Sequence, residues 1–219
     1  MMWRAGRLFL AATTLVACGN TPPVPDWQMS AKGALERAQQ AYLVGNSRVE
    51  LAEFAKARAE VASTGRVDLL ARLELSRCAT RVASLVLEEC AGYHMLVADA
   101  PAPERAYAAY LRGRGTPQEA ALLPQQHRAV AGAPAGAAAP DLTGIADPLA
   151  RLVAAAVLLQ TGRADPSTLG VAVDTASAQG WRRPLLAWLG VQAHRAQQAG
   201  DTEQASRIRR RIDLVGELR

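Results

Sequence analysis

The chain has 219 residues, half of them apolar, which is enough to close a sizeable core and excludes a wholly disordered protein. Its formal charge is +5, and Lys32 and Lys56 are the two lysines among 25 basic side chains, the rest being arginine. Residues 1–17 hold Arg4 and Arg7 and no acid, so the remaining 202 residues carry +3, too small an excess to point to nucleic acid.

The first segment in chain order reads as a signal peptide. A basic start at Arg4 and Arg7 precedes the apolar run Leu8 to Ala17, which ends on a small residue. About ten apolar residues are too few to span hydrocarbon, which takes roughly 20. Leu15-Val16-Ala17-Cys18, which closes this segment, resembles the lipobox of bacterial lipoproteins at all four positions. The resemblance implies that the Cys18 thiol receives a diacylglyceryl group, that signal peptidase II cuts after Ala17, and that the new amino terminus is acylated. Gly19 stands where many inner-membrane lipoproteins carry a retaining aspartate. The expected location is therefore the outer membrane, periplasmic face. Residues 18–26 follow as a tether, stiffened by Pro22, Pro23 and Pro25.

From Trp27 onward the signals are helical. Ala31, Ala34, Leu35, Ala38 and Tyr42 fall on one helix face until Gly45-Asn46 stops it. Ser47 with Glu50 reads as a capping box opening the next helix, with Leu51, Phe54, Ala55, Ala59 and Ala62 as its apolar stripe and Gly65 as its end. A turn this short makes the two an antiparallel hairpin. A third helix starts near Arg66 and carries Cys78; another opens at Pro103 and ends near Arg112. Thr116-Pro117-Gln118-Glu119 starts a helix expected to run to about Ala131, kinked at Pro124.

Residues 132–146, beginning with the Gly-Ala-Pro stretch 132–140, read as a mobile linker between an N-terminal helical region, 27–131, and a C-terminal one, 147–219. Asp147-Pro148 and Asp165-Pro166 each supply a cap and a first-turn proline, and Gly162, Gly180 and Gly200 mark helix ends. Leu185, Trp188, Leu189, Ala193 and Ala196 make one stripe; Ala205, Ile208, Ile212 and Val215 make another. With no alternating run, the fold class is all-α: stacked antiparallel helical hairpins. The hairpins resemble tetratricopeptide repeats in placing Ala38, Ala41, Ala193, Ala196 and Ala205 at small positions relative to Gly45 and Gly200. Glu50 at a small position, a missing early aromatic and a missing closing proline depart from that pattern, so an irregular helical bundle stays open.

The search for chemistry returns mostly exclusions. None of His94, His127 and His194 opens a His-Glu-x-x-His zinc helix, neither lysine follows a glycine as a P-loop requires, and no serine lies in Gly-x-Ser-x-Gly. There is no Cys-x-x-Cys, and Gly113-Arg-Gly115 lacks both a preceding strand and the sixth-position glycine. With Cys18 acylated, Cys78 and Cys90 form an even pair, which in an exported protein reads as a disulfide; with His94 they would alternatively make three soft metal ligands. The loop they close requires the chain to reverse between Arg81 and Glu88, because a straight helix would hold them about 18 Å apart. Arg207, Arg209, Arg210 and Arg211 read as the solvated face of the last helix, or as a contact for anionic head groups or peptidoglycan carboxylates. Tyr107 with Tyr110, and Trp181 with Trp188, are candidates for a binding surface or for core.

These features point to a non-catalytic helical scaffold that is attached to the membrane through Cys18 and holds an envelope protein partner, with no catalytic, metal or cofactor residues assigned. The alternative is a cell-wall-related enzyme or ligand carrier built on acids such as Glu88, Glu89, Asp141 and Asp147, which would have to meet in three dimensions.

Overall fold

The computed structural model describes residues 23–134 and 136–217. The signal peptide, Cys18 and the tether through Pro22 lie outside the described residues. Among those described, every regular element is helical. α1 (Asp26–Val44) and α2 (Ser47–Ala62) form the expected hairpin, turning through Gly45 at φ +95°. Only glycine takes this conformation at little cost, and a Cβ here would also strike the Arg182 guanidinium.

The start of α2 corrects the sequence reading in an informative way. Asn46, not Ser47, caps the helix, its side chain accepting the Val49 N–H at 3.2 Å. Glu50 does not close a capping box but turns inward, 4% exposed, and heads a buried stripe of Phe54, Ala57 and Val61. Leu51, Ala55, Ala59 and Ala62, expected inside, face solvent. The stripe was misplaced because its first member is an acid, which hydropathy assigns to water.

Glu50 is tolerated inside because α3 (Val67–Ala83) brings Arg77, whose Nε donates to Glu50 at 2.7 Å. The same arginine lies 4.5 Å from the Phe54 ring centroid. Two further buried acids repeat the device. Glu74 of α3 accepts from Arg58 of α2 at 2.9 Å, and Glu104 accepts from Arg72 at 3.0 and 2.7 Å. Each carboxylate is about 95% removed from solvent and each partner comes from another helix.

Beyond Ala83 the chain reverses where the cysteine pair requires it. Leu85 sits at φ +58° and the Val86 N–H returns to the Arg81 carbonyl at 3.0 Å. This brings Cys90 back to Cys78 as a disulfide, with Cα atoms 5.7 Å apart. The short α4 (Ala91–His94) follows at once. Gly92 lies against the Glu74 carboxylate so closely that a Cβ would overlap it. A 3-10 turn (Val97–Asp99) leads into α5 (Ala102–Leu111).

The helix expected from Thr116 to Ala131 is instead two 3-10 turns, Pro117–Leu122 and Gln125–His127, and the short α6 (Arg128–Gly132). The capping box of Thr116 and Glu119 is present. Pro124 decides the outcome: it lacks an N–H and holds Leu123 extended at ψ 157°, so the helix cannot continue through it.

The described residues between α6 and α7 contain no helix. α7 (Pro148–Gln160), α8 (Pro166–Ala178), α9 (Arg182–Gln198) and α10 (Thr202–Gly216) complete the chain, with Asp147 and Asp165 capping α7 and α8 as read. Residues on both sides of the stretch 132–146 contribute to one core. One buried core runs from Tyr42, Leu75 and Val82 through Leu111 and Leu123 to Leu152, Leu158, Val173, Trp188 and Ile208. α3 packs on both α5 and α7, and α9 returns to α1. Trp181 Nε1 donates to Gln40 at 3.2 Å and Arg183 Nε to the Tyr42 carbonyl at 2.8 Å, so the first and last hairpins meet. A smaller cluster of Ala31, Ala34, Ala38, Phe54, Val61 and Leu73 fills the space between α1, α2 and α3.

Replacing Cys78 and Cys90 by serine opens a loop whose ends lie 12 residues apart. The expected loss in urea unfolding is about 3 kcal/mol, from the entropy regained by the unfolded chain. Equal stability of the oxidised protein and the double variant would contradict the placement of this bond.

Candidate functional site

A groove of 480 Å³ opens between α3, α5 and the 3-10 segment before Pro124. From α3 come Arg72, Leu75 and Ser76; from α5, Pro103, Glu104 and Tyr107. Leu122, Leu123 and Pro124 form the opposite wall, with Leu122 at the lip, 42% exposed. The residues fall together for local reasons. Glu104 and Tyr107 stand i, i+3 on one face of α5, and Arg72 and Ser76 stand i, i+4 on α3. The far wall stays extended because of Pro124, and Arg128 Nε fastens it by donating to the Leu123 carbonyl at 2.9 Å.

The polar part of the groove is one ion pair seen from its outer side. Glu104 is buried, and its Oε1 accepts from both Nε and Nη2 of Arg72. The Arg72 side chain above it remains 66% exposed. The Ser76 hydroxyl donates to the Arg72 carbonyl at 2.9 Å.

Behind the far wall lies a buried aromatic group. Tyr110 is 1% exposed and His127 likewise, with the Tyr110 hydroxyl and His127 Nδ1 3.2 Å apart. The Tyr107 ring centroid is 5.6 Å from His127 and 6.2 Å from Tyr110. Burial holds the His127 pKa down at about 4, against a weaker opposing pull from the Asp147 carboxylate. Burial raises both tyrosines well above their ordinary value. Near neutral pH the imidazole is uncharged, and its Nδ1 shares one hydrogen bond with the Tyr110 hydroxyl, in a direction set by the tautomer. The three rings form a dry support under the 117–127 segment.

The structure divides the residues that the sequence singled out. Tyr107 is half-buried and lines the groove, whereas Tyr110 belongs to the core. Trp181 and Trp188, considered for a binding surface, are core instead. Trp188 is fully enclosed with its indole N–H donating to the Ala83 carbonyl at 3.0 Å, and Trp181 is 8% exposed. Few other large side chains were available to fill the space beneath α9. The acids held in reserve do not converge: Asp147 caps α7, Asp141 holds Thr143, and Glu89 pairs with Arg112 and Arg114. No three His, Cys, Asp or Glu side chains gather for a metal among the described residues, and His94 is exposed. Arg207 pairs with Glu203 at 2.6 Å, and Arg209, Arg210 and Arg211 flank Ile208 on the solvated side of α10.

Reading the sequence missed Arg72, Glu104 and Leu122. The one usable signal was the spacing of Glu104 to Tyr107; the proximity of Arg72, 32 residues earlier, has no local trace. No protein-family model, curated protein or solved structure matches this chain.

His127 gives the site a pH signature. In the unfolded chain its pKa is near 6.5, so the unfolded state takes up the proton first as pH falls. Its contribution is complete above about pH 6.5 and is lost progressively down to about pH 4, by about 3 kcal/mol in all. The difference in unfolding free energy between the wild type and His127→Gln should shrink by that amount between pH 7 and pH 4. A difference independent of pH would place the imidazole in water.

Proposed function

We propose that this protein is an outer-membrane lipoprotein, attached at the periplasmic face through acylated Cys18, and that its helical domain holds a protein partner without chemical turnover. The groove between α3 and α5 carries the reading: it is open, walled by Leu75, Pro103, Tyr107, Leu122 and Pro124, and centred on one ion pair. Apolar walls with a few placed polar groups bind and orient; they do not supply an acid and a base to a reacting bond. The lipobox supports the location. No helix among the described residues is long and apolar enough to cross a membrane. Attachment in this reading therefore rests on acyl chains, at roughly 0.8 kcal/mol per buried methylene, and more than one chain makes it stable. The tetratricopeptide-like spacing supports the scaffold role by analogy of architecture alone.

Two variants in intact cells test both halves. Cys18→Ser should abolish lipid labelling and take the protein out of the membrane fraction. Leu122→Asp, at an exposed position, should cut photocrosslinked partner capture roughly tenfold while the melting temperature hardly moves. Capture unaffected by Leu122→Asp and by Tyr107→Ala would place the partner elsewhere. Hydrolysis of a peptidoglycan fragment, lost on Glu104→Gln, would replace the scaffold with an enzyme.

A further inference from the structure

We propose that the groove recognises an acidic, apolar peptide segment of its partner: a carboxylate side chain on Arg72, beside a bulky apolar side chain laid against Tyr107 and Leu75. The inference rests on the proposed holding of a partner in this groove and adds the chemistry of what is held. Arg72 directs one edge, Nε and Nη2, at Oε1 of Glu104. That leaves the outer edge, Nη1 with the second hydrogen of Nη2, facing solvent on a side chain that is 66% exposed. An arginine fork presents two such edges, and each matches the two oxygens of a carboxylate.

The acid that neutralises Arg72 lies beneath it. The Glu104 side chain is 6% exposed, so what an incoming ligand meets is the row of donors and not the carboxylate. Of the hydroxyl-bearing residues that line the groove, Ser76 and Tyr107, Ser76 is already donating to the Arg72 carbonyl. Arg128 does not line the groove; its Nε donates to the Leu123 carbonyl behind the far wall. No free acid lines the groove. The polar chemistry on offer is therefore that of an anion site, and it sits within walls of leucine, proline and tyrosine.

A peptide fits these walls better than a lone acyl chain. The groove is open to solvent on one side, and Leu122 stands 42% exposed at the lip. An acyl chain there would leave one side in water, whereas a peptide carries its contacts beyond the lip and its carboxylate meets the fork from above. Buried Glu104 also sharpens selection: a lysine or arginine placed near Arg72 would face an exposed cation without reaching the acid below it.

A displayed peptide library, selected on the mature chain kept free of lipid by Cys18→Ser, tests this directly. The expected result is enrichment of Asp or Glu next to Leu, Phe, Tyr or Trp. The best peptide should bind about tenfold more weakly when its acid becomes Gln or Lys. The Arg72→Gln/Glu104→Gln double variant, which leaves no buried charge unpaired, should weaken binding as much while keeping its helical circular dichroism. Enriched sequences that lack an acid, or that ignore the double variant but are lost with Tyr107→Ala, would overturn the acidic class and leave the groove as the partner site. Absence of any groove-dependent enrichment would overturn both readings. Binding of laurate to a chain that selects no peptide would give the groove to a lipid and overturn the proposal as well.

Discussion

Three glutamates are buried in this fold, and each is held by an arginine from a neighbouring helix. Glu50 and Arg77 join α2 to α3, Arg58 and Glu74 join the same helices again, and Arg72 and Glu104 join α3 to α5. A carboxylate removed from water costs several kcal/mol unless a charged donor replaces the lost hydration. The pairs therefore act as registration marks more than as a source of net stability. A displacement of α3 would leave all three of these buried charges without their partners. Because α3 also packs on α7, its position sets where the second half of the chain meets the first.

The groove follows from this registration. Its floor is the Arg72–Glu104 pair, so the same contact that places α5 on α3 also fixes the fork presented to solvent. The other wall depends on two different constraints, the missing N–H of Pro124 and the dry stack of Tyr107, Tyr110 and His127 beneath it. The disulfide adds a third: it returns residue 90 to α3, which sets Gly92 against Glu74 and leaves no room there for a side chain.

Much of the helical order could be read from local signals. The caps at Asp147 and Asp165, the left-handed turns at Gly45, Gly162, Gly180 and Gly200, and the stripes of α1, α9 and α10 are short-range, and sequence shows them directly. What could not be read is whatever depends on a distant partner. Glu50 reads locally as the acid of a capping box with Ser47, because its inward position is affordable only with Arg77, 27 residues away. Arg72 and Glu104 were missed for the same reason. The 132–146 stretch looked like a spacer because it lacks large side chains, yet α3, α5 and α7 meet across it. Tyr107 and Tyr110, alike in sequence, diverge because successive i, i+3 positions drift around the helix, one to the groove and one to His127.

The account rests most directly on the claim that buried carboxylates, not apolar area alone, position α3. A double-mutant cycle on Glu50 and Arg77, read by urea unfolding, measures this. Arg77→Gln removes the nearer of two cations from a carboxylate that is 4% exposed, leaving it only Arg81 at 4.0 Å, and should cost about 2–4 kcal/mol. Glu50→Gln leaves a neutral amide beside a guanidinium that can still reach water, and should cost clearly less. The double variant should recover more than about 1 kcal/mol of the summed losses. Two small, equal and additive losses would contradict the account and leave apolar packing as the feature that positions α3.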